Sequence, residues 1–204
     1  MNDEPPPFVP IRGGLFFKSF HLICPKFIIF ANMNQVQIRI AGAEDAPAIA
    51  DLSRKTFYDS FAADNSKENM DHFLNLQFTR ESLIAEVTAP GNIFLLAYLD
   101  GVLVGYTRLQ DNNQPAEFGD ESSIEIVRIY SEQSAIGKGV GRALMESCLS
   151  IAREKNKQWI WLGVWEHNQR ALGFYIKWGF EKFGEHVFMV GNDPQTDWYM
   201  KKKL

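Results

Sequence analysis

The sequence has few of the residues that build disulfides or metal sites. Only two cysteines occur among its 204 residues, Cys24 and Cys148, and they stand far apart with no Cys-x-x-Cys pair. The four histidines have no mutual spacing that would form a metal site, and no cluster of cysteines and histidines suggests one. We therefore expect reduced thiols, no bound metal and a cytoplasmic protein.

A surplus of positive charge and a long apolar run are also absent. The 21 lysines and arginines are outnumbered by 25 aspartates and glutamates, for a net charge of −4. Nucleic acid is therefore not an expected partner. The most apolar stretch, residues 14–31, is interrupted by Lys18, His21, Pro25 and Lys26, which argues against a transmembrane helix and a signal peptide. We expect no membrane partner, and the sequence leaves a monomer and a homodimer open.

The first 32 residues differ in composition from the rest of the chain. They begin with the proline-rich segment MNDEPPPFVP and continue into the interrupted apolar stretch, whereas Met33 begins MNQVQIRIAGAEDAPAIADL, which is typical of a protein start. We interpret residues 1–32 as an N-terminal extension outside the fold, from a start codon assigned upstream, and residues 33–204 as one domain. The alternative is an arm that packs on the domain or on a partner.

From Val36 onward, hydrophobic periodicity predicts a regular order of strands and helices. Asp100 and Gly101 stand between two apolar runs and indicate a β-hairpin. Ser66 marks a helix start and Gly179 a helix end. The predicted strands cover residues 36–40, 92–99, 102–110, 122–130, 159–165, 180–188 and 196–204, and the predicted helices cover residues 44–61, 66–77, 79–88, 140–155 and 168–178. This order predicts one α+β domain with a mixed sheet.

The segment SAIGKGVGRALM, residues 134–145, carries three alternating glycines directly before a helix. The first N–H groups of a helix have no acceptor within it, and the helix dipole makes them attractive to an anion. Glycines allow a ligand to approach these groups closely, so Gly137–Arg142 is interpreted as a phosphate-binding loop. A plain tight turn is the alternative. The P-loop pattern is absent, and Leu144 stands where a dinucleotide motif needs glycine.

Two longer segments resemble the GNAT N-acetyltransferase superfamily. IEIVRIYSEQSAIGKGVGRALM resembles the family's fourth strand and pyrophosphate loop. WLGVWEHNQRALGFYIKWGF resembles its fifth strand and following helix, with the pattern N-x-x-A-x-x-x-Y-x-x-x-G-F. The resemblance covers residues 36–204 and departs from the family at Ile136, where Gln or Arg is usual. It implies a mixed, mostly antiparallel sheet flanked by helices, with an acetyl-CoA cleft where the fourth and fifth strands splay apart.

Finer features resemble the PaiA-type branch of this superfamily, which is associated with polyamine N-acetylation. They are the segments TFYDSFAADNSKENM, WLGVWEHN and QTDWYMKKKL. The resemblance implies direct transfer of an acetyl group from acetyl-CoA to a primary amine, with spermidine or spermine as the expected acceptor. The alternatives are a peptide or protein N-acetyltransferase and a catalytically silent, CoA-binding regulatory module.

The resemblance assigns two catalytic roles. Tyr175 occupies the position of the tyrosine that protonates the departing thiolate, although its spacing alone would make it a core residue. An amine with a pKa near 10 is protonated at neutral pH and must lose a proton before it attacks. Glu125 is the candidate base, acting through water, and a solvated strand residue or a partner of Arg128 is the alternative. Glu117 and Glu121 are expected only to add negative potential.

Contacts with the cofactor are implied in three places. The strand at Ile129 and Tyr130 is expected to pair with the pantetheine arm, and a backbone N–H near Ile129 to meet the carbonyl oxygen. Asn168 is a typical helix N-cap, and the resemblance suggests that it also bonds CoA. The loop contributes Gly137, Lys138, Gly139, Val140, Gly141 and Arg142.

Overall fold

A seven-stranded sheet forms the centre of the domain. The computed structural model describes residues 36–111, 113–190 and 193–204, so Cys24 and the extension predicted for residues 1–32 lie outside the described residues. The strands are β1 (Val36–Ile40), β2 (Asn92–Leu99), β3 (Val102–Gln110), β4 (Ser123–Ser131), β5 (Trp159–Trp165), β6 (Glu181–Val190) and β7 (Asp193–Lys203). The helices are α1 (Ala46–Phe61), α2 (Lys67–His72), α3 (Arg80–Thr88), α4 (Val140–Glu154) and α5 (Gln169–Lys177).

The strand order is β1-β2-β3-β4-β5-β7-β6. Strands β4 and β5 run parallel, and the other neighbouring pairs within the described sheet run antiparallel. Helix α4 connects the two parallel strands, as a parallel pair requires a crossover. The predicted α+β class and mostly antiparallel mixed sheet are confirmed.

The predicted strands and helices occur, most of them with ends shifted by one or two residues, and three larger differences are described next. A 3₁₀ turn, Ala43–Asp45, precedes α1, and the helix predicted over 66–77 changes into a π-helical turn at Phe73–Gln77. Hydrophobic spacing does not separate these tighter or wider turns from an α-helix. Strand β7 begins at Asp193, three residues early, although Pro194 has no N–H to donate. A proline is tolerated there because it stands at the beginning of the strand.

The predicted hairpin between β2 and β3 is confirmed in its backbone geometry. Asp100 and Gly101 have φ values of 52° and 80°. A two-residue type I′ turn needs positive φ at both positions, and it matches the twist of the flanking strands.

One face of the sheet is covered by α4 and α5. Leu144 and Cys148 of α4 and Leu172 of α5 are buried in one cluster with Ile160 and Leu162 of β5. Burial raises the pKa of the Cys148 thiol to about 12, so it is a neutral apolar side chain of the core. This cluster is the main hydrophobic core.

The opposite face is covered by α1 and α3 over β2 to β4. Ile49 and Leu52 of α1 are buried with Phe94, Leu96 and Tyr106 of these strands. Further along the same face, the register of β5, β6 and β7 places Trp161, Trp165, Asp197, Tyr199 and His186 on the α1 side. The two faces therefore differ in chemistry: aliphatic under α4, and aromatic with charged groups beyond α1.

Candidate active site

Strand β4 has one extra residue at a point within its pairing with β3. Arg108 pairs with Arg128 and Leu109 pairs with Ile126, so Val127 has no partner on β3. This is a β-bulge, which bends a strand and increases its twist.

The parallel strands β4 and β5 separate directly after the bulge. Their pairing begins at Ser123 and Trp159 and ends at Ile126 and Leu162. Beyond this point β4 pairs in the sheet with β3, and β5 pairs with β7. The N–H and C=O groups that face the gap are therefore open to a ligand, as they are at the edge of a sheet. The splayed strands expected from the sequence are confirmed.

Two neighbouring cavities occupy this region. One of about 520 Å³ extends between the end of β4, α4 and α5, and one of about 100 Å³ lies at the gap between β4 and β5. Five residues line both cavities: Ile129, Tyr130, Asn168, Ala171 and Tyr175. The two cavities are thus parts of one cleft, and four of these five residues were predicted from the sequence to bind the cofactor or to act in catalysis.

The glycine loop ends at the first turn of α4. Gly137 and Gly139 have φ values of 78° and 86°, and Gly139 is the N-cap of α4. A Cβ on either would meet nothing within 4 Å, so the left-handed backbone, rather than crowding, requires glycine. The N–H of Ala143 bonds to the carbonyl oxygen of Gly139 at 3.0 Å. The N–H groups of residues 140–142 precede it and have no acceptor within the helix.

The charged side chains of the loop lie on its outside. Lys138 is exposed, and the exposed Arg142 donates from Nε to Oε1 of Glu146 at 2.8 Å. The Val140 side chain is buried in the core, so its contribution to the cleft is its backbone. The loop therefore offers backbone N–H groups rather than cationic side chains.

Tyr175 connects the hydrophobic core to the cleft. It is buried, and its ring packs against Phe174 and Phe180 with centroid distances of 5.5 and 5.9 Å. Its hydroxyl makes no hydrogen bond to any residue that the structure describes. Burial raises the pKa of the phenol well above its ordinary range, so the hydroxyl keeps its proton. The ring is thus a core ring, and the hydroxyl lies at the cleft without a hydrogen bond to a described residue. The role of Tyr175 as an acid stays a prediction.

Asn168 has the capping role predicted for it. Its Oδ1 accepts a hydrogen bond from the N–H of Ala171 at 3.0 Å, which fixes the start of α5 at the cleft. The Asn168 side-chain amide donates to none of the described residues and faces both cavities. The cap therefore leaves its NH₂ group available to a ligand.

Glu125 lies before the gap rather than in it. It is at the level of Trp161, where β4 and β5 still pair, and it is absent from the lining of both cavities. Its Oε2 accepts a hydrogen bond from Asn113 Nδ2 at 2.7 Å. Burial raises the pKa of Glu125, and the Asn113 hydrogen bond opposes the rise. The ion pair of Arg128 is made with Glu86. The role of Glu125 as a base stays a prediction.

Tyr199 of β7 is surrounded by aromatic rings beyond the gap. It stacks on Phe183 and His186 with centroid distances of 5.8 and 4.8 Å, and contacts Trp161 edge-on at 5.5 Å. Burial raises the pKa of its phenol, and the negative charges of three carboxylates raise that pKa further. These carboxylates are Glu125, Asp197 and Glu117.

The match to a known family follows the geometry of this cleft. The Acetyltransferase (GNAT) family matches residues 47–180, about two thirds of the chain, including β4, the glycine loop and the helix that carries Tyr175. The chain belongs to the GNAT acetyltransferase family. It is therefore an acyltransferase, an N-acetyltransferase that depends on acetyl-CoA.

Individual GNAT relatives cover most of the chain. An uncharacterised N-acetyltransferase from the pepI 3′ region of Lactobacillus delbrueckii subsp. lactis is 40% identical over 172 residues, 84% of this chain and 99% of its own. The spermidine N(1)-acetyltransferase of Thermoplasma acidophilum is 23% identical over 172 residues, 82% of this chain and 97% of its own. The crystal structure of the PaiA N-acetyltransferase from T. acidophilum with coenzyme A has a TM-score of 0.67 at 22% identity, over 83% of this chain and 99% of that one. The latter similarity shows the fold.

The cleft of this GNAT protein fits acetyl-CoA in size and chemistry. The larger cavity offers apolar contacts from Leu144, Ala171 and Phe174, open backbone groups of β4, and the free N–H groups of the glycine loop at one end. Among the described residues, no group of three or more His, Cys, Asp or Glu side chains is placed to hold a metal ion, and no helix has the length and apolarity to cross a membrane.

Three residues of this region were not identified as candidate site residues from the sequence. Arg170 contributes a cation to the larger cavity, and Glu86 accepts hydrogen bonds from Arg128 while pairing with Arg108 at 2.8 Å. Asp197 lines the smaller cavity. Arg170 could have been found, because it stands inside the matched helix motif. Glu86 carries no local signal, since its partners are distant in the sequence. Asp197 stands in the segment QTDWYMKKKL, which was noted for its resemblance to the PaiA-type branch and not for a role of this residue.

Proposed function

We propose that this GNAT enzyme acetylates a primary amino group of a polyamine such as spermidine or spermine. The observation that carries the proposal is the set of three carboxylates around Tyr199, namely Asp197, Glu125 and Glu117. Such a set favours a substrate with more than one positive charge. The aromatic rings beside it add cation–π attraction for ammonium groups.

The spacing of the carboxylates suits a long cation. Asp197 of β7 pairs with Trp165 of β5, and Glu125 of β4 pairs with Trp161 of β5. The two carboxylates are therefore offset by four residues along β5. Four residues of a strand span about 13 Å at roughly 3.3 Å per residue. An extended polyamine can therefore place one ammonium group at the gap and a second one toward Glu125. A monoamine can occupy only one of these positions.

On the cofactor side, the proposal keeps the roles predicted from the sequence. The amides of Gly137–Arg142 bind the pyrophosphate, the backbone at Ile129 and Tyr130 pairs with the pantetheine arm, and Asn168 donates from its free amide. Tyr175 donates its proton to the departing thiolate. These roles are supported by the open backbone of β4 and by the free hydroxyl of Tyr175 in the cleft.

The acceptor is tested by measuring release of the CoA thiol with a panel of amines. The panel contains spermidine, spermine, a monoamine of similar chain length such as hexylamine, and short peptides with a free N-terminus or lysine. We expect the highest kcat/KM with spermidine or spermine. A preference for peptides over both polyamines would overturn the proposed acceptor class and favour the peptide or protein alternative.

A charge variant sharpens this experiment. If Glu125 attracts the second ammonium group, Glu125→Gln should raise KM for spermidine and leave the kinetics of hexylamine nearly unchanged. If Glu125 is instead the base predicted from the sequence, the same variant should lower kcat for both amines. Either result assigns the residue, because binding and proton transfer affect different kinetic constants.

A further inference from the structure

We propose that Asp197 binds the reacting ammonium group and accepts its proton. This inference rests on the proposed function, in that it takes an amine as the acceptor, but it does not depend on which amine is acetylated. It assigns the second proton-transfer group of the reaction to β7, where the segment QTDWYMKKKL resembles the PaiA-type branch but no residue was expected to act in catalysis.

The position of Asp197 is the first argument. It lines the cavity of about 100 Å³ at the gap between β4 and β5. Tyr175 lines the same cavity but belongs to α5, on the other face of the sheet. The separation of the strands is what lets groups from both faces meet. A proton acceptor on the amine side and a proton donor on the thioester side are the two groups that acetyl transfer requires.

The lack of a partner for Asp197 is the second argument. Its carboxylate is partly buried and makes no hydrogen bond or ion pair with any residue in the described part of the chain. A partly buried charge without a partner lowers stability unless a ligand compensates it. Gly163 of β5 lies diagonally across from it, two residues before its register partner Trp165, and a Cβ built on Gly163 would lie 3.7 Å from Asp197 Oδ2. The glycine thus leaves open space beside the carboxylate, on the side of the gap.

The neighbours of Asp197 set its charge. Its cross-strand partner is His186 of β6, whose Nδ1 is buried without a hydrogen bond to any described residue. Other titratable or charged groups also face the cavity or adjoin Asp197: Tyr199 of β7, Arg128 and Tyr130 of β4, and Tyr175 of α5. The residues that β5 and α1 contribute there are uncharged, namely Gly163, Trp165 and Phe61. Burial raises the pKa of Asp197, and the nearby His186 opposes the rise. A raised pKa makes the carboxylate a stronger base toward an ammonium group.

Glu125 is the natural comparison, because it is the carboxylate that the sequence singles out. Its oxygen is already engaged by Asn113, and it stands where β4 and β5 are still paired. The sheet therefore separates it from the Tyr175 side. The Asp197 carboxylate has no hydrogen bond to a described residue, and it lies beyond the point where β4 and β5 separate.

The step balances as a simple acyl transfer. The ammonium group gives one proton to the Asp197 carboxylate, and the neutral amine nitrogen attacks the thioester carbonyl carbon. The C–N bond forms and the C–S bond breaks, with its electron pair going to sulfur, which takes a proton from Tyr175. The second proton of the nitrogen restores Tyr175, and Asp197 releases its proton to water. The products are the acetamide, the free thiol and one proton.

The test compares Asp197→Asn with Glu125→Gln, using the amine that the wild-type enzyme acetylates best. Loss of a general base typically lowers the rate by about 10²–10⁴-fold, so kcat/KM of Asp197→Asn should fall within that range. Affinity for CoA, measured by calorimetry, should stay the same. Asp197→Glu should recover part of the rate because it restores a carboxylate. The change in Glu125→Gln should appear mainly in KM.

The pH profile separates a base from a structural residue. In the wild type, kcat/KM should fall as the pH drops through the pKa of Asp197, which lies above the ordinary aspartate value of about 3.9. In Asp197→Asn this limb should vanish, and the rate should follow the fraction of free amine. The Asn variant should also be no less stable at pH 8, since it removes a partly buried charge.

The possible failures are distinct. A parental kcat/KM in Asp197→Asn would overturn the inference. A loss of kcat that occurs only in Glu125→Gln would also overturn it and would identify Glu125 as the base. If the wild type prefers a peptide, the polyamine proposal fails, and the same variants measured with that peptide still decide the role of Asp197.

Discussion

The two sides of the cleft are built in different ways. On the cofactor side, the groups that we propose bind CoA are backbone amides of one continuous segment, β4 followed by the glycine loop and the first turn of α4. On the acceptor side, the groups that we propose meet the amine are side chains from different strands, Asp197 of β7 and Glu125 of β4. A site made of backbone amides depends on the backbone conformation of one segment. A site made of side chains depends on which strands lie next to each other in the sheet. The difference predicts which substitutions act on cofactor binding and which act on the rate.

The largest effect is expected at Tyr175, where the two sides meet. Tyr175→Phe removes only the hydroxyl and keeps the ring packed against Phe174 and Phe180. Loss of a general acid lowers kcat by about 10²–10⁴-fold, while CoA affinity and melting temperature should hardly change. Steady-state kinetics and calorimetry measure the two quantities. Tyr98→Phe, on β2 and outside both cavity linings, removes a hydroxyl as a control. A parental kcat in Tyr175→Phe would make Tyr175 a core residue alone.

The next largest effect tests the backbone side. Gly139→Asp either forces the loop out of its left-handed conformation or places a negative charge beside the pyrophosphate. We expect CoA binding at least about 100-fold weaker, or roughly 2.8 kcal/mol. Gly101→Asp is the matched control, because Gly101 has φ of 80° and equally open space but lies in the β2–β3 turn. Unchanged CoA affinity in a folded Gly139→Asp protein would remove the anion-binding role of the loop.

The smallest effect is expected from removing residues 1–32. If both sides of the cleft are built within residues 33–204, a protein that begins at Met33 should keep its melting temperature and its kcat/KM within about twofold, the range of neutral changes. Differential scanning calorimetry and the thiol assay measure these quantities. A drop of several degrees would show instead that the first 32 residues stabilise the domain.

The same contrast explains what the sequence could predict. The hairpin at Asp100–Gly101 and the loop at Gly137–Arg142 were predictable because positive φ restricts these positions to a few residue types, which stand together in the chain. Tyr175 was placed by its motif, although its spacing described only a core residue. Asp197 was not predictable, because its importance depends on where β4 and β5 part. That point is set by strand pairing, and the paired residues of β4 and β5, such as Ser123 and Trp159, stand 36 positions apart in the chain (159 − 123).

The extra residue at Val127 also constrains how β4 can change in length. Side chains of a strand alternate between faces, yet Glu125 and Arg128 face the same side although they are three positions apart, because the bulge shifts the alternation by one. Deleting Val127 would remove the bulge and restore strict alternation, so Arg128 and Tyr130 would stay on the α1 side and Ile129 on the α4 side. A one-residue deletion elsewhere in β4 would instead turn over the side chains that follow it relative to β3. Val127 is therefore a position at which β4 can lose one residue and keep the orientation of the cleft wall, although the strand would lose the bend that precedes its separation from β5.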